Sequence, residues 1–255
     1  MTKYWQPGTV KTRLAVSVGD AAAASLHQSF VACLLRRLDG CASRCQWTVS
    51  PADRLPELSD WLTTHQLAGS WELADQGGGD LGERIQRWFR SALSDAPQSA
   101  NGSSPAQSTA VLIGGDCPTL TASEIACAVT GLVDHDIVAG PAVDGGYYLI
   151  GLRGPWVPSY ENLFSDIPWS TSDVMAVTAR RAAASQLTLR TLPKREDIDT
   201  IDELNRLRKH LAQTVSPSRS PPVSPNAGPA IVDMAMDGWL RERIEQILSG
   251  SDSAE

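Results

Sequence analysis

The chain has 255 residues, of which 42% are hydrophobic and 20% are charged, a composition typical of a globular protein with one large or two small domains. Its 22 lysines and arginines against 29 acidic residues give a net charge of −7, which argues against a general nucleic-acid-binding protein. Five scattered cysteines do not form a disulfide framework and no apolar run is long enough to span a membrane, so we expect a cytoplasmic protein.

Helix-like and strand-like segments alternate along the first 213 residues. Helices are predicted at 20–38, 54–66, 80–93, 121–132, 172–185 and 200–212. Strands are predicted at 46–50, 70–74, 110–115, 136–141, 147–152 and 186–192. This alternation favours a three-layer α/β fold with a mostly parallel sheet, in which ligands bind at the carboxyl ends of the strands.

The chain changes character after the predicted main domain, residues 1–213. Residues 214–230 are rich in proline and serine and cannot bury a core, which predicts a disordered linker. Residues 231–249 have apolar side chains at helical spacing and are predicted to form a C-terminal amphipathic helix. That helix either folds back on the main domain or meets a partner, and self-association is one such case. Residues 96–109, small and polar, are predicted to form a surface loop.

The segment PGTVKTRLA, residues 7–15, is a candidate anion site. Gly8 allows a tight turn, and Lys11 and Arg13 follow it closely. Because the protein is acidic overall, an anionic ligand needs a local group of cations, and arginine and lysine both bind phosphate oxygens. The alternative is a solvated basic turn.

The segment DQGGGDLGERI, residues 75–85, is a second candidate loop. Gln76 offers both a donor and an acceptor to the edge of a base. The glycines that follow, Gly77 and Gly78 among them, permit close approach of the backbone to a ligand. The alternative is a flexible turn capped by Asp80.

Acidic residues follow two of the predicted strands. Asp116 comes directly after the apolar run and double glycine of AVLIGGDCPTL, residues 110–120. Asp197 and Asp199 follow the strand at 186–192. Carboxylates at the ends of neighbouring strands can hold a divalent cation beside a diphosphate. Equally, Asp197 and Asp199 can serve only to cap the next helix, where Thr200 and Glu203 form a capping box.

Two further turns are candidates for contact with an acceptor substrate. Asp144, Gly145 and Gly146 form a turn signal between two apolar runs, which needs no explanation beyond a hairpin but places a carboxylate near the strand ends. In DIPWST, residues 166–171, Trp169 and Thr171 precede a helix and can line a pocket. An ordinary helix cap is the simpler explanation of that segment.

Taken in order, the motifs PGTVKTRLA, QGGGDLGERI, IGGDCPTL, GPAVDGGYYLIGL, IPWST and DIDTIDEL resemble the small bacterial glycosyltransferase-like proteins of the GT-A superfamily, of the arsenosugar-biosynthesis type. The resemblance covers residues 3 to about 207. It implies a Rossmann-like α/β/α fold of the nucleotide-diphospho-sugar transferases. The segment KTRLA also looks like the corresponding loop of phospholactate guanylyltransferases, which keeps nucleotidyl transfer as an alternative.

The resemblance implies a metal-dependent glycosyltransferase with a nucleotide-sugar donor and a small-molecule acceptor. Asp116, with Asp199, would hold Mg²⁺ or Mn²⁺, and Asp144 would act as a base. The predicted nucleotide-binding residues are Gly8, Lys11, Arg13, Gln76, Gly77 and Gly78. The predicted acceptor-binding residues are Gly145, Gly146, Trp169 and Thr171.

Against the family pattern, most of the first strand is missing, because little sequence precedes Lys3. We therefore expect the native chain to begin upstream of Met1. A catalytically silent binding protein is the third alternative, favoured by the short first strand and the added C-terminal helix.

Overall fold

The structure is a computed structural model and describes residues 1–94, 108–214 and 229–250. Its helices are α1 (Thr12–Val18), α2 (Asp20–Arg37), α3 (Leu55–Thr64), α4 (Leu81–Ser94), α5 (Ala122–Asp134), α6 (Val174–Ala184), α7 (Ile201–Thr214) and α8 (Pro229–Leu248). Its strands are β1 (Thr2–Lys3), β2 (Cys45–Ser50), β3 (Trp71–Asp75), β4 (Thr109–Ile113), β5 (Ile137–Pro141), β6 (Tyr147–Arg153) and β7 (Leu189–Thr191). Within these ranges no helix has the length and apolar character needed to cross a bilayer.

The chain divides into two compact units. Unit 1 consists of Met1–Asp75, Gly115–Ser123 and the chain from Asp197 onward, and unit 2 consists of Gln76–Gly114 and Glu124–Glu196. Unit 1 therefore contains β1 to β3 with α1 to α3, α7 and α8. Unit 2 contains β4 to β7 with α4, α6 and most of α5.

Unit 1 is built on a parallel sheet in the order β1-β2-β3. Strand β2 pairs with β3 from Cys45 to Val49, whereas β1 pairs with β2 through Thr2 and Lys3 alone. The first strand is thus very short, as the sequence predicts. Helices α2 and α3 pack on β2 through a core that contains Val31, Leu35, Trp47, Val49, Leu58 and Leu62.

Three indole rings lie together at the edge of this core. The ring centroids of Trp5, Trp47 and Trp61 are 5.5 to 5.9 Å apart in each pair. We term these residues the tryptophan cluster. Because Trp5 follows β1 by two residues, the cluster fixes the chain where it leaves the sheet.

Helix α8 folds back onto α2 and α7 of its own unit. One face of α8 is buried there, with Met236, Leu240, Ile244 and Ile247 in the core. The guanidinium of Arg37, on α2, is 1% exposed and bonds to Asp233 at 3.1 Å and Asp237 at 2.5 Å on α8. The C-terminal helix was expected either to fold back on the main domain or to meet a partner, and in the structure it folds back. Self-association through this helix stays a prediction.

Unit 2 is built on a mixed sheet in the order β4-β6-β5-β7. Strand β6 is antiparallel to both β4 and β5, and β5 is parallel to β7. The short turn after β5 accounts for the antiparallel pairing, because a turn of that length can join only antiparallel neighbours. The predicted mostly parallel sheet thus takes the form of a wholly parallel sheet in unit 1 and a mixed sheet in unit 2.

Every helix and strand predicted at 20–94 and 110–212 is present, with ends within about three residues, which confirms the α/β class. Helix α1 was not predicted from the sequence, because it begins inside the segment that was interpreted as a basic turn. The predicted loop at 96–109 and linker at 214–230 lie largely outside the residues that the structure describes.

Candidate functional site

Lys11 stands at the start of α1 with its side chain almost fully buried. It is the N-cap residue of this helix, its φ is 49°, and its carbonyl accepts the N–H of Ala15 at 2.8 Å. Gly8, in the preceding turn, has a φ of 78°, a conformation that glycine adopts without strain. The basic segment is therefore a tight turn that leads directly into a helix, with the lysine side chain only 2% exposed.

Two carboxylates converge on the Lys11 ammonium. Its Nζ forms an ion pair with Asp116 Oδ1 and donates to Asp199 Oδ1 at 2.8 Å. Arg13 Nη2 donates to the other oxygen of Asp199 at 2.5 Å. These are charge-assisted bonds, which are stronger than bonds between neutral groups. We term Lys11, Arg13, Asp116 and Asp199 the lysine–carboxylate cluster; all four belong to unit 1.

The backbone around each carboxylate is fixed by local bonds. Ile198 N–H donates to the Asp116 carbonyl at 3.0 Å, which joins the two acidic segments. Glu203 Oε2 accepts the N–H groups of Asp199 and Thr200, both at 2.7 Å, so Glu203 caps helix α7. The capping alternative thus applies to Glu203, and the Asp199 carboxylate faces Lys11 and Arg13 instead. The neighbouring acid, Asp197, accepts the thiol hydrogen of buried Cys117 at 2.8 Å.

The cluster keeps its members charged. Burial alone would raise the pKa of Asp116, but the charges of Lys11 and then His27, with a hydrogen bond from Lys11, hold that pKa below its ordinary value. Burial alone would lower the pKa of Lys11, but Asp116 and Asp199 raise it above its ordinary value. A carboxylate that is 43% exposed therefore stands beside a buried ammonium, and each favours the charged form of the other.

His27, on α2, is a further member of this site that the sequence did not indicate. Its Nε2 lies 3.1 Å from the Lys3 carbonyl, and its Nδ1 lies 3.9 Å from Asp116 Oδ1. Burial, opposed by Asp116, lowers the pKa of this imidazole below its ordinary value. No sequence signal could have found it, because a single histidine in an alanine-rich helix has no characteristic spacing.

In unit 2, the loop that contains Gln76, Gly77 and Gly78 is hydrogen-bonded to the helix that follows it, α4. Arg87, on α4, donates to the Gln76 carbonyl at 2.9 Å and to the Gly78 carbonyl at 2.8 Å. Arg84 donates to Gln76 Oε1 at 3.3 Å. Gly77 has a φ of 75° and lies close to the Arg87 guanidinium. The loop is therefore held in a defined shape, and its role in nucleotide binding stays a prediction.

The hairpin turn between β5 and β6 also has a defined shape. Gly146 N–H donates to Asp144 Oδ1 at 2.9 Å, and Gly145 has a φ of 95°. The Gly145 carbonyl accepts the N–H of Met175 at 2.9 Å, which attaches the turn to the start of α6. Asp144 is exposed, so its second oxygen is open to solvent.

The predicted acceptor-binding segment contains buried polar atoms. The rings of Tyr147 and Trp169 meet edge to face at 6.2 Å. Within the described ranges, neither the Tyr147 hydroxyl nor Trp169 Nε1 has a hydrogen-bond partner, although both atoms are buried. Thr171 Oγ1 donates to the Pro168 carbonyl at 2.7 Å, which shapes the turn rather than leaving a free hydroxyl donor.

The lysine–carboxylate cluster supplies ligands that suit a hard divalent cation. Mg²⁺ is often bound through one or two carboxylates together with substrate phosphates, and Asp116 and Asp199 present such oxygens at one point. In the described parts of the chain, no group of three or more His, Cys, Asp and Glu side chains is arranged to hold a metal ion. The fit is therefore to a cation that shares its coordination with a phosphorylated ligand.

Comparison with known proteins adds three findings. The family model described as "Uncharacterized protein conserved in bacteria (DUF2064)" matches residues 42–171. A 3-phospho-D-glycerate guanylyltransferase of Phenylobacterium zucineum (strain HLK1) is 30% identical over 156 residues, which are 59% of this chain. That alignment spans 65% of the curated relative, slightly less than two thirds of its length.

The third finding is a crystal structure from Desulfovibrio desulfuricans G20, provisionally described as that of a nucleotide-diphospho-sugar transferase. It is similar with a TM-score of 0.73 and 29% identity, over 97% of this chain and 94% of the other. The Rossmann-like α/β fold predicted from the sequence is thereby confirmed, as is the likeness to the wider transferase superfamily. The narrower arsenosugar-biosynthesis type stays a prediction.

Proposed function

The chain belongs to the bacterial protein family DUF2064, and from that premise we propose that it is a nucleotide-dependent transferase that moves a nucleotidyl group onto a phosphorylated small molecule. The observation that carries this proposal is the lysine–carboxylate cluster. It combines cations that bind phosphate oxygens with carboxylates that suit a divalent cation. The curated relative, a guanylyltransferase, supports nucleotidyl transfer and a guanine nucleotide as the donor.

In this reaction an oxygen of the acceptor phosphate attacks the α-phosphorus of a nucleoside triphosphate. The bond from that phosphorus to the bridging oxygen breaks, and pyrophosphate leaves with the electron pair. Lys11 and Arg13 would stabilise the negative charge that grows on the leaving group. Asp116 and Asp199 would hold Mg²⁺ or Mn²⁺, which when bound supplies a further positive charge there as a Lewis acid.

Glycosyl transfer from a nucleotide sugar is the second candidate. It is supported by the likeness to the Desulfovibrio protein, which covers almost the whole of this chain. The leaving group would then be a nucleoside diphosphate, and the same cations would stabilise it. Asp144, exposed on the hairpin turn, would accept the proton of the acceptor hydroxyl.

The product that is released distinguishes the two reactions. The protein is incubated with Mg²⁺, GTP and 3-phospho-D-glycerate, and separately with a panel of nucleotide sugars and small acceptors. We expect pyrophosphate from the first mixture. Release of a nucleoside diphosphate from a nucleotide sugar, without pyrophosphate in the first mixture, would favour the second candidate. Absence of both products, together with ligand binding in a thermal-shift screen, would indicate a binding protein.

A further inference from the structure

Lys11 occupies the point where the two carboxylates of the lysine–carboxylate cluster meet. We propose that the Lys11 ammonium occupies the place of a divalent cation between the two carboxylates and gives it up when that cation and a phosphate anion bind together. The cluster then binds the two ligands cooperatively, and each of them alone weakly. This inference rests on the proposed function, since it concerns the same metal and phosphate. It adds a role for Lys11 that a simple phosphate-binding lysine does not have.

The charges of the lysine–carboxylate cluster balance one another. The cluster has two positive and two negative groups, and each is already paired: Lys11 with both carboxylates, and Arg13 with Asp199. A divalent cation that arrives alone must displace the Lys11 ammonium and leave it buried without its partners. An unpaired buried charge is costly, so the cation alone binds weakly.

A phosphate anion that arrives alone meets the opposite difficulty. It must draw Lys11 and Arg13 away from Asp116 and Asp199, which deprives both carboxylates of their ion-pair partners. When both ligands arrive, the divalent cation takes the carboxylates and the phosphate takes Lys11 and Arg13. Every charge is then paired again, so each ligand raises the affinity for the other, and by linkage the effect is reciprocal.

His27 gives independent support for a ligand beside Asp116. Because a carbonyl can only accept, the bond to the Lys3 carbonyl requires the hydrogen on Nε2. Nδ1 lies 3.9 Å from Asp116 Oδ1, is buried, and has no hydrogen-bond partner in the described chain. Buried polar atoms are normally hydrogen-bonded, and a ligand bound at Asp116 would lie next to this one.

The test measures Mn²⁺ binding to the full chain by the loss of the free-ion electron paramagnetic resonance signal, with and without inorganic phosphate. In the unmodified protein we expect phosphate to tighten Mn²⁺ binding about tenfold, within the usual range for coupled sites. In Lys11→Met, Mn²⁺ alone should bind about tenfold more tightly than to the unmodified protein, and phosphate should change this by less than twofold. Lys209→Met, which removes an exposed lysine of α7, is the matched control and should behave like the unmodified protein.

Equal Mn²⁺ affinity of the unmodified protein and Lys11→Met, without phosphate, would overturn the inference. Circular dichroism checks that the variant folds, and Lys11→Gln replaces it if it does not. The metal-only comparison needs no substrate, so a lack of pyrophosphate release would defeat the proposed function and leave this result standing. An active enzyme with equal Mn²⁺ affinities would defeat the exchange of Lys11 alone.

Discussion

Among single residues, Asp116 is both accessible to a ligand and paired with a buried lysine. Its side chain is 43% exposed and can meet a ligand, while its partner Lys11 is 2% exposed. The ammonium keeps the carboxylate ionised, and it also competes for the oxygen that a divalent cation would need. Lys11 keeps Asp199 as a second partner, so removal of Asp116 does not leave a buried charge alone.

Asp116→Ala should therefore abolish metal-dependent transfer while the protein stays folded. We expect the rate to fall by about two orders of magnitude or more, because a preorganised charge at the leaving group is lost. The rate of product release and the thermal unfolding midpoint are measured side by side. Asp39→Ala, at an exposed position of unit 1, is the control, and full activity of Asp116→Ala would contradict the assignment.

The depressed pKa of Asp116 also predicts a pH dependence of stability. A carboxyl group whose pKa is lower in the folded protein than its ordinary value of 3.8 contributes stability above that value, and this is lost as the pH falls through the folded value. The unmodified protein should thus gain more stability than Asp116→Asn between pH 3 and pH 6. Urea unfolding at each pH measures the difference. Parallel profiles of the two proteins would contradict the direction of the shift.

At the scale of elements, α8 is attached by two kinds of ion pair. Buried Arg37 bonds to Asp233 and Asp237, whereas exposed Arg208, on α7, bonds to Glu245 through both of its oxygens. Charge-assisted bonds shielded from water contribute more to stability than those at the surface, where water and salt screen them. The same helix thus allows a comparison of the two environments.

Asp237→Asn should destabilise the protein by about 1–3 kcal/mol, because it weakens a charge-assisted bond to a buried guanidinium. Glu245→Gln, the matched change at the surface pair, should cost about 1 kcal/mol or less. Urea unfolding of the full chain measures both. Equal effects would mean that burial of Arg37 adds nothing to the attachment of α8.

The hairpin turn between β5 and β6 has a backbone geometry that favours glycine at position 145. A Cβ at Gly145 would lie 2.1 Å from the Ser172 carbonyl oxygen, and the φ of 95° already disfavours other residues. Gly145→Ala should therefore destabilise the protein by more than 1 kcal/mol. Gly78→Ala is the control, since its Cβ would meet nothing within 4 Å. The unfolding midpoints of the two variants are compared, and a similar loss in both would refute this explanation.

Secondary structure could be predicted because it is encoded locally. The short continuous apolar runs of β5 and β6 and the helical spacing in α4 depend on neighbours within a few positions. The residue types of the site could also be predicted, since Lys11 and Asp116 stand in recognisable motifs. Their pairing could not, because the contact joins residues 105 positions apart and depends on how the chain folds. His27 reaches Asp116 only through the packing of α2.

At the scale of the whole molecule, ligand binding should appear as added stability. A ligand present at 100 times its dissociation constant stabilises the folded state by about 2.7 kcal/mol. We expect Mg²⁺ and GTP together to raise the unfolding midpoint by more than the sum of their separate effects, because each is bound weakly alone. Differential scanning fluorimetry measures the three shifts. Strictly additive shifts would argue against a shared site.

The tryptophan cluster gives unit 1 an optical signature. Three indoles whose centres lie within 6 Å of one another couple their electronic transitions, and such coupling produces paired bands in the far-ultraviolet circular dichroism spectrum. Trp5 joins the other two only while the chain leaving β1 keeps its place. In a denaturant titration, the concentration at which these bands disappear would therefore report the unfolding of unit 1 around β1. It can be compared with the concentration at which the helical signal is lost, without an attached dye.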